Sequence, residues 1–387
     1  MTRFALTGAA LVLPSGVVEG QALLIDAGCI VGWTTSAALS SDWQVVALDG
    51  GWLAPGFIDV QVNGGGDILF NDSPTVDGIR TIARAHRKFG TTGLLPTLIS
   101  DHTPVIDEAI AAGEQALAEG MPGLLGLHIE GPYLNPAKKG IHDEGRFAVI
   151  DDAVIKRFTA STRGLRLVTL APELAPVGAI RTLREAGVLV AAGHSLADYG
   201  QTCAALEEGL TGFTHLFNAM TQLGSREPGM VGAALCDRSS HFGLIVDGLH
   251  VHPVALKVAI AARGIEGAML VTDAMPPVGG ISTSFTLMGQ HINVVDGTCR
   301  GPDGTLAGSA LTMVQAFRNA MDLLECTISE ASRMASGNPA TFLGLADETG
   351  AIAVGLRADL VHLNSDRLVT RTWISGAMQE EGEGSTS

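Results

Sequence analysis

The stretch Leu124-Leu-Gly-Leu-His-Ile-Glu130 is a short apolar run that ends in a charged side chain, and most of the chain repeats this pattern. Seven further runs of the same kind are candidate strands, and amphipathic stretches or long loops separate them: residues 56–62, 93–99, 167–172, 188–194, 212–217, 242–246 and 268–272. Apolar strands that alternate with helices indicate a parallel sheet covered on both faces. Because eight such strands close a barrel, the sequence predicts an α/β protein built on a (β/α)₈ TIM-like barrel.

An open, doubly wound sheet is the alternative architecture for the same pattern. Such a sheet usually carries a Gly-x-Gly-x-x-Gly turn between an early strand and the helix that follows it. The glycines at 64–66 follow a predicted strand, but no predicted helix begins on them. This absence favours the barrel.

The two ends of the chain have a different character from its middle. Residues 1–54 contain short β-rich runs broken by glycines, and β-rich runs return at 351–354, 359–363 and 369–375. Each end alone is too short to bury a core, so we expect both to pair in one small β-sandwich domain. The predicted organisation is therefore residues 1–54 and 346–380 in the sandwich, 55–345 in the barrel, and 381–387 as a solvated tail.

Composition excludes several classes of function. The chain has 387 residues and a formal net charge of −16, with 24 Lys and Arg against 40 Asp and Glu. Nucleic-acid binding needs a basic surface, so we expect no nucleic-acid partner, although a local cluster of cations can still bind a small anion. No uncharged apolar run approaches the roughly 18 residues of a membrane helix, so we expect no membrane partner. Five dispersed cysteines are typical of reduced thiols and predict a cytoplasmic protein.

Polar side chains follow five of the predicted strands, at the end where barrel enzymes place their catalytic groups. They are Glu130, His194, His215, His250 and Asp273. A charged side chain that is buried without a partner is costly, so five such residues at one end of a barrel indicate a site rather than packing.

Three of these residues form a candidate set of metal ligands, namely Glu130, His194 and His215. Two imidazoles and one carboxylate leave one open position in a tetrahedral site, which is the pattern of catalytic zinc. The three are far apart in the chain, so the fold must bring them together. The alternative is that Glu130 forms an ion pair with Lys138 or Lys139.

Asp273 is the candidate acid and base. A carboxylate beside a metal site can take a proton from water and later give it to a leaving group. The alternative is a helix N-cap, because two prolines follow at 276–277.

In the loop after the sixth strand, Arg226 could bind an anionic group in a bidentate manner, or could pair with Glu227 instead. Asn218 and His250 could donate hydrogen bonds to the same ligand.

Several motifs, in this order, resemble those of the amidohydrolase superfamily, and within it those of the N-acetylglucosamine-6-phosphate deacetylases. The matching stretches are residues 53–64, 128–133, 139–142, 193–195, 214–220, 226–229, 247–250, 271–275, 306–309 and 355–361. Each fragment alone has little specificity, but their order and spacing run nearly from end to end of the chain.

The resemblance implies a barrel with a β-sandwich built from both termini. It also implies hydrolysis of the acetamide of N-acetyl-D-glucosamine 6-phosphate to D-glucosamine 6-phosphate and acetate, in amino-sugar catabolism and cell-wall recycling. Glu130, His194 and His215 would bind one divalent ion per subunit, with zinc as the first choice and iron or another ion as alternatives, and Asp273 would be catalytic. Substrate contacts would come from Ile141, His142, Asn218, Ala219, Arg226, Asp247, Gly248, Leu249, His250, Leu306, Ala307 and Gly308. The chain would form a homodimer or a dimer of dimers, with Arg226 and His250 acting across an interface.

One position departs from the wider superfamily. Many members carry His-x-His after the first strand, which helps to build a two-metal site, whereas this chain has Gln61-Val62-Asn63. Amide side chains are poor zinc ligands beside imidazole, so we expect one tightly held ion, with a second, weaker site as the alternative.

The sequence leaves other activities open. The enzyme alternatives are an N-acetylgalactosamine-6-phosphate deacetylase and another amidohydrolase, such as one that acts on N-acyl amino acids. The non-enzyme alternative is a metal-binding scaffold, against which the retention of all four catalytic and metal-binding candidates argues.

Overall fold

The computed structural model describes residues 3–160, 163–295, 297–301 and 304–379, and an eight-stranded sheet lies at its centre. Each strand pairs in parallel with the next one along the chain. In chain order, the first to eighth barrel strands are Phe57–Val62, Thr91–Ile99, Gly126–Glu130, Leu165–Leu170, Leu189–Ala192, Gly212–Phe213, His241–Leu244 and Ala268–Leu270. They fall within or overlap the eight predicted runs, in the same order.

The sheet closes between its first and eighth strands. Val62 forms a parallel bridge with Ala274, and the Asp273 amide donates to the Gln61 carbonyl at 3.0 Å. The Asn63 amide donates to the Ala274 carbonyl at 2.9 Å. The predicted (β/α)₈ barrel is therefore confirmed, and the open, doubly wound alternative is wrong.

An α-helix follows every barrel strand and covers the outside of the sheet. These helices are Val76–Arg87, Thr103–Ala118, Asp152–Thr159, Ala179–Glu185, Tyr199–Glu207, Gly229–Cys236, Pro253–Arg263 and Met313–Leu324. Ile79, Ile82 and Ala83 of the first helix share its buried face, which a helical period of 3.6 brings to one side. The Asp198 side chain and Gln201 cap the fifth helix reciprocally. The chain then continues through Ile328–Ser332, a π-helical turn at Arg333–Gly337, and Asn338–Phe342.

The sixth barrel strand is shorter than the predicted run 212–217. His215 and Phe217 have positive φ values of 34° and 78°, which no β-strand allows. The strand therefore ends at Phe213, and the chain turns sharply at the barrel mouth, where His215 lies.

The two ends of the chain meet in sheets outside the barrel. One sheet has the order Cys29–Thr35, Gln21–Asp26, Phe4–Thr7 and Gln44–Ala47, and the other has the order Ala377–Met378, Val369–Ile374, Leu360–Leu363, Trp52–Pro55, Ala10–Leu13 and Gly16–Val18. Leu6, Leu23, Ile30, Leu360 and Trp373 belong to one core shared by both ends. The separate sheets fit the small domain that the sequence predicts.

Details of the small domain differ from the prediction. Residues 351–354 form no strand; Gly355 and Leu356 instead exchange backbone hydrogen bonds with Ile30. The domain boundaries at 54, 345 and 380 remain predictions, and the predicted tail at 381–387 lies outside the described residues.

A four-stranded antiparallel sheet between the eighth barrel strand and the last barrel helix was not predicted. Its strands are Ser284–Leu287, Gln290–Val295, Thr298–Arg300 and Leu306–Ser309. Ala274 bridges to Ser309, so this inserted sheet is attached directly to the closing edge of the barrel. Shorter elements are the strand pair Gly64–Gly65 and Ile68–Leu69 and the 3₁₀ turns Ser36–Ala38, Pro136–Lys138, Glu144–Arg146, Pro172–Leu174 and Ile265–Gly267.

Within the described residues, no helix combines the length and the apolar character needed to cross a membrane.

Candidate active site

A cleft of about 250 Å³ opens at the carboxyl ends of the barrel strands. Its walls include the following predicted site residues: Glu130, His194, His215, Asp273, Ile141, His142, Asn218, Ala219, His250, Leu306 and Gly308. The barrel ends and the inserted sheet both contribute to these walls. The remaining predicted contacts, Arg226, Asp247, Gly248, Leu249 and Ala307, are not part of the cleft lining in this chain.

The three candidate metal ligands lie together at one side of the cleft. The Oε1 atom of Glu130 lies 3.0 Å from Nε2 of His194 and 3.2 Å from Nε2 of His215. The two imidazole Nε2 atoms are 3.0 Å apart. All three side chains are buried, so their ligand atoms converge on one small volume screened from water.

The tautomer of His194 suits a metal ligand. Its Nδ1 lies 2.8 Å from the carbonyl oxygen of Lys138, which can only accept a hydrogen bond, so Nδ1 carries the proton. Nε2 is therefore the ring nitrogen available to a metal ion, and it faces Oε1 of Glu130 and Nε2 of His215. Such a convergence of ligand atoms is favourable around a cation, and a backbone partner on the far nitrogen is the usual support of a metal-binding histidine. The three residues therefore fit a divalent ion.

The charge of Glu130 is strongly stabilised by its neighbours. Burial opposes the charged form, but the hydrogen bonds from His194 and His215 outweigh it and hold the pKa of Glu130 well below its usual range. The second oxygen, Oε2, accepts from Nε2 of Gln61 at 3.1 Å. Within the described residues Glu130 thus pairs with histidines and an amide, and the alternative of a pair with Lys138 or Lys139 is wrong.

Backbone strain concentrates at the same site. His194, His215 and Asp273 have positive φ values of 48°, 34° and 52°, although none of them is glycine. Such conformations cost on the order of 1–3 kcal/mol each and persist where the surrounding structure enforces them. The surrounding structure therefore enforces an unfavourable backbone conformation at these three residues, whose side chains line the cleft.

Asp273 lies beside the metal-ligand cluster and accepts hydrogen bonds from two amides. Its Oδ1 accepts from Nδ2 of Asn63 at 2.6 Å and from Nε2 of Gln61 at 3.2 Å. Burial, together with the charge of Glu130, raises the pKa of Asp273 to about 6. No helix begins at residues 274–277 in the described chain, so the alternative of a helix N-cap is wrong.

Asp59 is buried at the seam between the first and eighth barrel strands. Its carboxylate accepts from the amides of Gln61 and Thr272 at 3.2 and 3.3 Å and from the Thr272 hydroxyl at 2.5 Å. Burial raises the pKa of Asp59 to about 7. These bonds connect the end of the first strand to Thr272, which follows the eighth strand and precedes Asp273.

His142 presents a neutral imidazole to the cleft. Its Nδ1 accepts from the backbone amide of Ser100 at 3.3 Å and lies 2.8 Å from the Ser100 hydroxyl. The proton of the neutral ring is therefore on Nε2, which lies 3.9 Å from Oε1 of Glu130. Burial and the neighbouring His194 lower the pKa of His142 to about 3, so this ring is an uncharged donor at neutral pH.

Asp247 positions His250 and is not itself part of the cleft lining. The Asp247 carboxylate lies 2.6 Å from Nδ1 of His250 and also accepts from the amides of Leu249 and His250. Burial opposes the charge of Asp247, but these bonds lower its pKa. In this structure Asp247 therefore supports the loop that brings His250 into the cleft.

Arg226 and Ala307 do not lie where a direct contact with a ligand in this cleft would require. Arg226 is exposed on the loop after the sixth barrel strand. Within the described residues Arg226 forms no ion pair with Glu227, whose carboxylate accepts from the amides of Tyr199 and Gly229. Ala307 is buried in a small core with Met275 and Cys299.

Sequence reasoning did not assign Asn63, Gln61 or Ser100 to the site. Asn63 and Ser100 directly follow the first and second barrel strands, so the position rule that found the other residues also applies to them. Their uncharged side chains carry less signal than histidine or a carboxylate.

The chain is similar to known proteins over nearly its whole length. Residues 52–378 match the model of the family described as the amidohydrolase family. The chain is 40% identical to an N-acetylgalactosamine-6-phosphate deacetylase of Shewanella sp., over 97% of this chain and 96% of that protein. It is 32% identical to an N-acetylglucosamine-6-phosphate deacetylase of Haemophilus influenzae, over 98% and 100%.

Solved structures give the same result. The crystal structure of N-acetylglucosamine-6-phosphate deacetylase from Pasteurella multocida superposes with a TM-score of 0.94, at 32% identity, over 97% of this chain and 99% of that chain. With a family match over most of its length and relatives of this similarity, the chain belongs to the amidohydrolase family.

Proposed function

We propose that this protein hydrolyses the acetamide of N-acetyl-D-glucosamine 6-phosphate and releases D-glucosamine 6-phosphate and acetate. The observation that carries the proposal is the arrangement of Glu130, His194 and His215 beside Asp273 in one cleft. A single amide nitrogen, Nε2 of Gln61, reaches both Glu130 and Asp273, so the ligand cluster and the acid are immediate neighbours. Relatives named for this activity align over nearly the whole chain.

Glu130, His194 and His215 would hold one divalent ion, with zinc as our first choice because two imidazoles and a carboxylate suit it. A divalent ion there would supply Lewis-acid chemistry, which polarises a carbonyl group and makes water a better nucleophile. Asp273 accepts a proton from the attacking water and returns it to the departing amine. A carboxylate whose pKa is raised to about 6 is suited to both transfers near neutral pH.

The other lining residues would position the sugar. Neutral His142 offers Nε2–H as a donor that needs no change of charge, and Asn218 and His250 line the same wall. The backbone of the 306–308 segment closes the cleft from the inserted sheet.

The phosphate is assigned to Arg226. Its exposure outside the cleft of its own chain supports a role in which Arg226 reaches the cleft of a second copy, within a homodimer or a dimer of dimers. We assign the protein to the cytoplasm, where sugar phosphates are found.

The second candidate substrate is the galactosamine epimer. Two relatives named N-acetylgalactosamine-6-phosphate deacetylase, from Shewanella sp. and Escherichia coli O157:H7, are 40% and 38% identical to this chain, against 37% for the glucosamine enzyme of Bos taurus and 32% for that of Haemophilus influenzae. This small difference in identity is the observation that makes the galactosamine epimer the second candidate.

The test is acetate release by the purified, metal-loaded protein from both N-acetylhexosamine 6-phosphates and from both unphosphorylated sugars. We expect turnover of a 6-phosphate, with a higher kcat/KM than for its unphosphorylated counterpart. A higher kcat/KM for the galactosamine epimer would exchange the two candidates. Absence of acetate from all four compounds, in protein whose metal content is confirmed, would overturn the proposed function.

A further inference from the structure

We propose that Asn63 and Gln61 are positioning residues for the reaction and form an amide clamp on Asp273, which leaves Oδ2 as the oxygen that carries the proton. The inference rests on the proposed function and deepens it. It gives a role to two amides at the end of the first barrel strand, where many members of the superfamily carry His-x-His.

The backbone places the two amides and the carboxylate together. Asp273 donates its amide to the Gln61 carbonyl at 3.0 Å, and the amides of Asn63 and Gly64 both donate to the Ala274 carbonyl at 2.9 Å. The Asp59 carboxylate accepts from the amides of Gln61 and Thr272 at the same seam. The register across the closing seam of the barrel is therefore fixed at the three residues of the clamp.

The side-chain contacts are asymmetric. Both amide nitrogens donate to Oδ1 of Asp273, from Asn63 at 2.6 Å and from Gln61 at 3.2 Å. Within the described chain, the hydrogen bonds to the Asp273 side chain all go to Oδ1. Two donors on one oxygen resist rotation of the carboxylate and keep negative charge on that oxygen, so Oδ2 is the oxygen available to a reacting group.

The orientation of Asn63 argues against a purely structural task. Its Oδ1 is buried and has no hydrogen-bond partner among the described residues. A structural amide normally satisfies both of its ends, as Asn71 does by accepting from the Ile99 amide and donating to the Ile99 carbonyl. Asn63 satisfies only the end that faces Asp273.

A fixed Oδ2 is useful because the reaction moves one proton twice. Water transfers a proton to Oδ2 while its oxygen forms a bond to the acetamide carbonyl carbon. The bond between that carbon and nitrogen then breaks, the nitrogen takes the proton from Oδ2, and the amine leaves. The second proton of the water is released when the acetic acid ionises. A carboxylate that rotated between the two transfers would present the wrong oxygen to the amine.

The test compares variants of the full-length, metal-loaded protein. Asn63→Leu removes the donor at similar size, and Gln61→Met removes the second donor. Asn338→Leu is the matched control, because Asn338 is also a buried asparagine that donates, to Ile265 and Ala268, but at the opposite end of the eighth barrel strand. We expect Asn63→Leu to lower kcat by about 10- to 100-fold, with KM changed by less than about 3-fold and metal content unchanged. Gln61→Met should have a smaller effect, because the hydrogen bond from Gln61 to Asp273 is longer, at 3.2 Å, and the same amide also donates to Glu130.

A double-mutant cycle gives the readout that a structural role would not move. If Asn63 acts through Asp273, Asn63→Leu should lower kcat by less than about 3-fold when Asp273 is already Asn. If the effects of Asn63→Leu and Asp273→Asn on kcat multiply independently, the clamp is wrong. It is also wrong if Asn338→Leu lowers kcat as far as Asn63→Leu does. If the wild type releases acetate and Asn63→Leu keeps its kcat, the clamp is wrong while the proposed function stands. If the wild type releases no acetate, both are wrong.

Discussion

The cleft has two sides that treat a buried carboxylate in opposite ways. On one side, imidazoles surround Glu130 and hold its pKa well below the usual range despite burial. On the other side, the described hydrogen bonds to the Asp273 side chain come from two neutral amides, and burial with the charge of Glu130 raises its pKa to about 6. Two carboxylates in one cleft are thus assigned different tasks by their neighbours, one suited to binding a cation and the other to carrying a proton.

The largest effect that we expect comes from Asp273→Asn. Asparagine keeps the size of the side chain but cannot accept the proton, so kcat should fall by at least ~10²–10⁴-fold while metal and substrate still bind. Steady-state kinetics with metal analysis checks this. Asp322→Asn, which alters a half-exposed carboxylate paired with Arg367, is the control. Loss of the metal in Asp273→Asn would mean that both carboxylates are ligands, and the contrast between the two sides would be wrong.

On the opposite side, His194→Ala should act through the metal. It removes one of three ligands, so purified protein should lose most of its bound divalent ion and, with it, most of its activity; the loss of a supporting residue alone typically costs 10- to 100-fold in affinity. Elemental analysis of the variant checks this against His291→Ala, which removes an exposed histidine. A full complement of metal in His194→Ala would show that the cluster is not the binding site.

Arg226→Ala should weaken binding of the substrate's phosphate group and leave the metal ligands and Asp273 unchanged. Loss of a charge-assisted contact costs roughly 1.5–3 kcal/mol, so KM for the 6-phosphate should rise by about 10- to 150-fold, with little change for the unphosphorylated sugar. Arg333→Ala removes an arginine whose partner is the surface residue Glu266 and serves as the control. Equal effects of Arg226→Ala on both substrates would assign Arg226 to the fold instead.

The sequence predicted what depends on local pattern. The eight apolar runs were sufficient to predict the barrel. The rule that polar groups at strand ends meet at one mouth of a barrel was sufficient to predict that Glu130, His194, His215 and Asp273 lie in one cleft. The inserted sheet at 284–309 was missed because its strands are half-exposed and carry no continuous apolar run. The contact between Asn63 and Asp273 was missed because it joins residues 210 positions apart and exists only once the barrel closes.

A third buried carboxylate, Asp59, extends the comparison and gives the smallest expected effect. No cation neighbours it among the groups that shift its pKa, and burial raises that pKa to about 7 in the folded protein, against 3.8 as its ordinary value. Between these pH values the folded protein binds a proton that the unfolded chain has lost. The contribution of Asp59 to the free energy of unfolding is therefore fully retained below pH 4 and decreases as the pH rises towards 7, by at most about 1.4 kcal/mol per pH unit.

Asp59→Asn should remove that decrease. The asparagine oxygen can still accept from the amides of Gln61 and Thr272, and its amide can donate to the Thr272 hydroxyl, which can turn to the Gln61 carbonyl 3.3 Å away. Urea unfolding of both proteins at pH 5 and pH 6 should show the stability of the wild type falling relative to the variant by about 1 kcal/mol. Taking the difference between the two proteins cancels the other titrating groups. Parallel pH dependences would mean that Asp59 is charged in the folded barrel, and that burial beside neutral partners does not by itself hold a proton on a carboxylate in this protein.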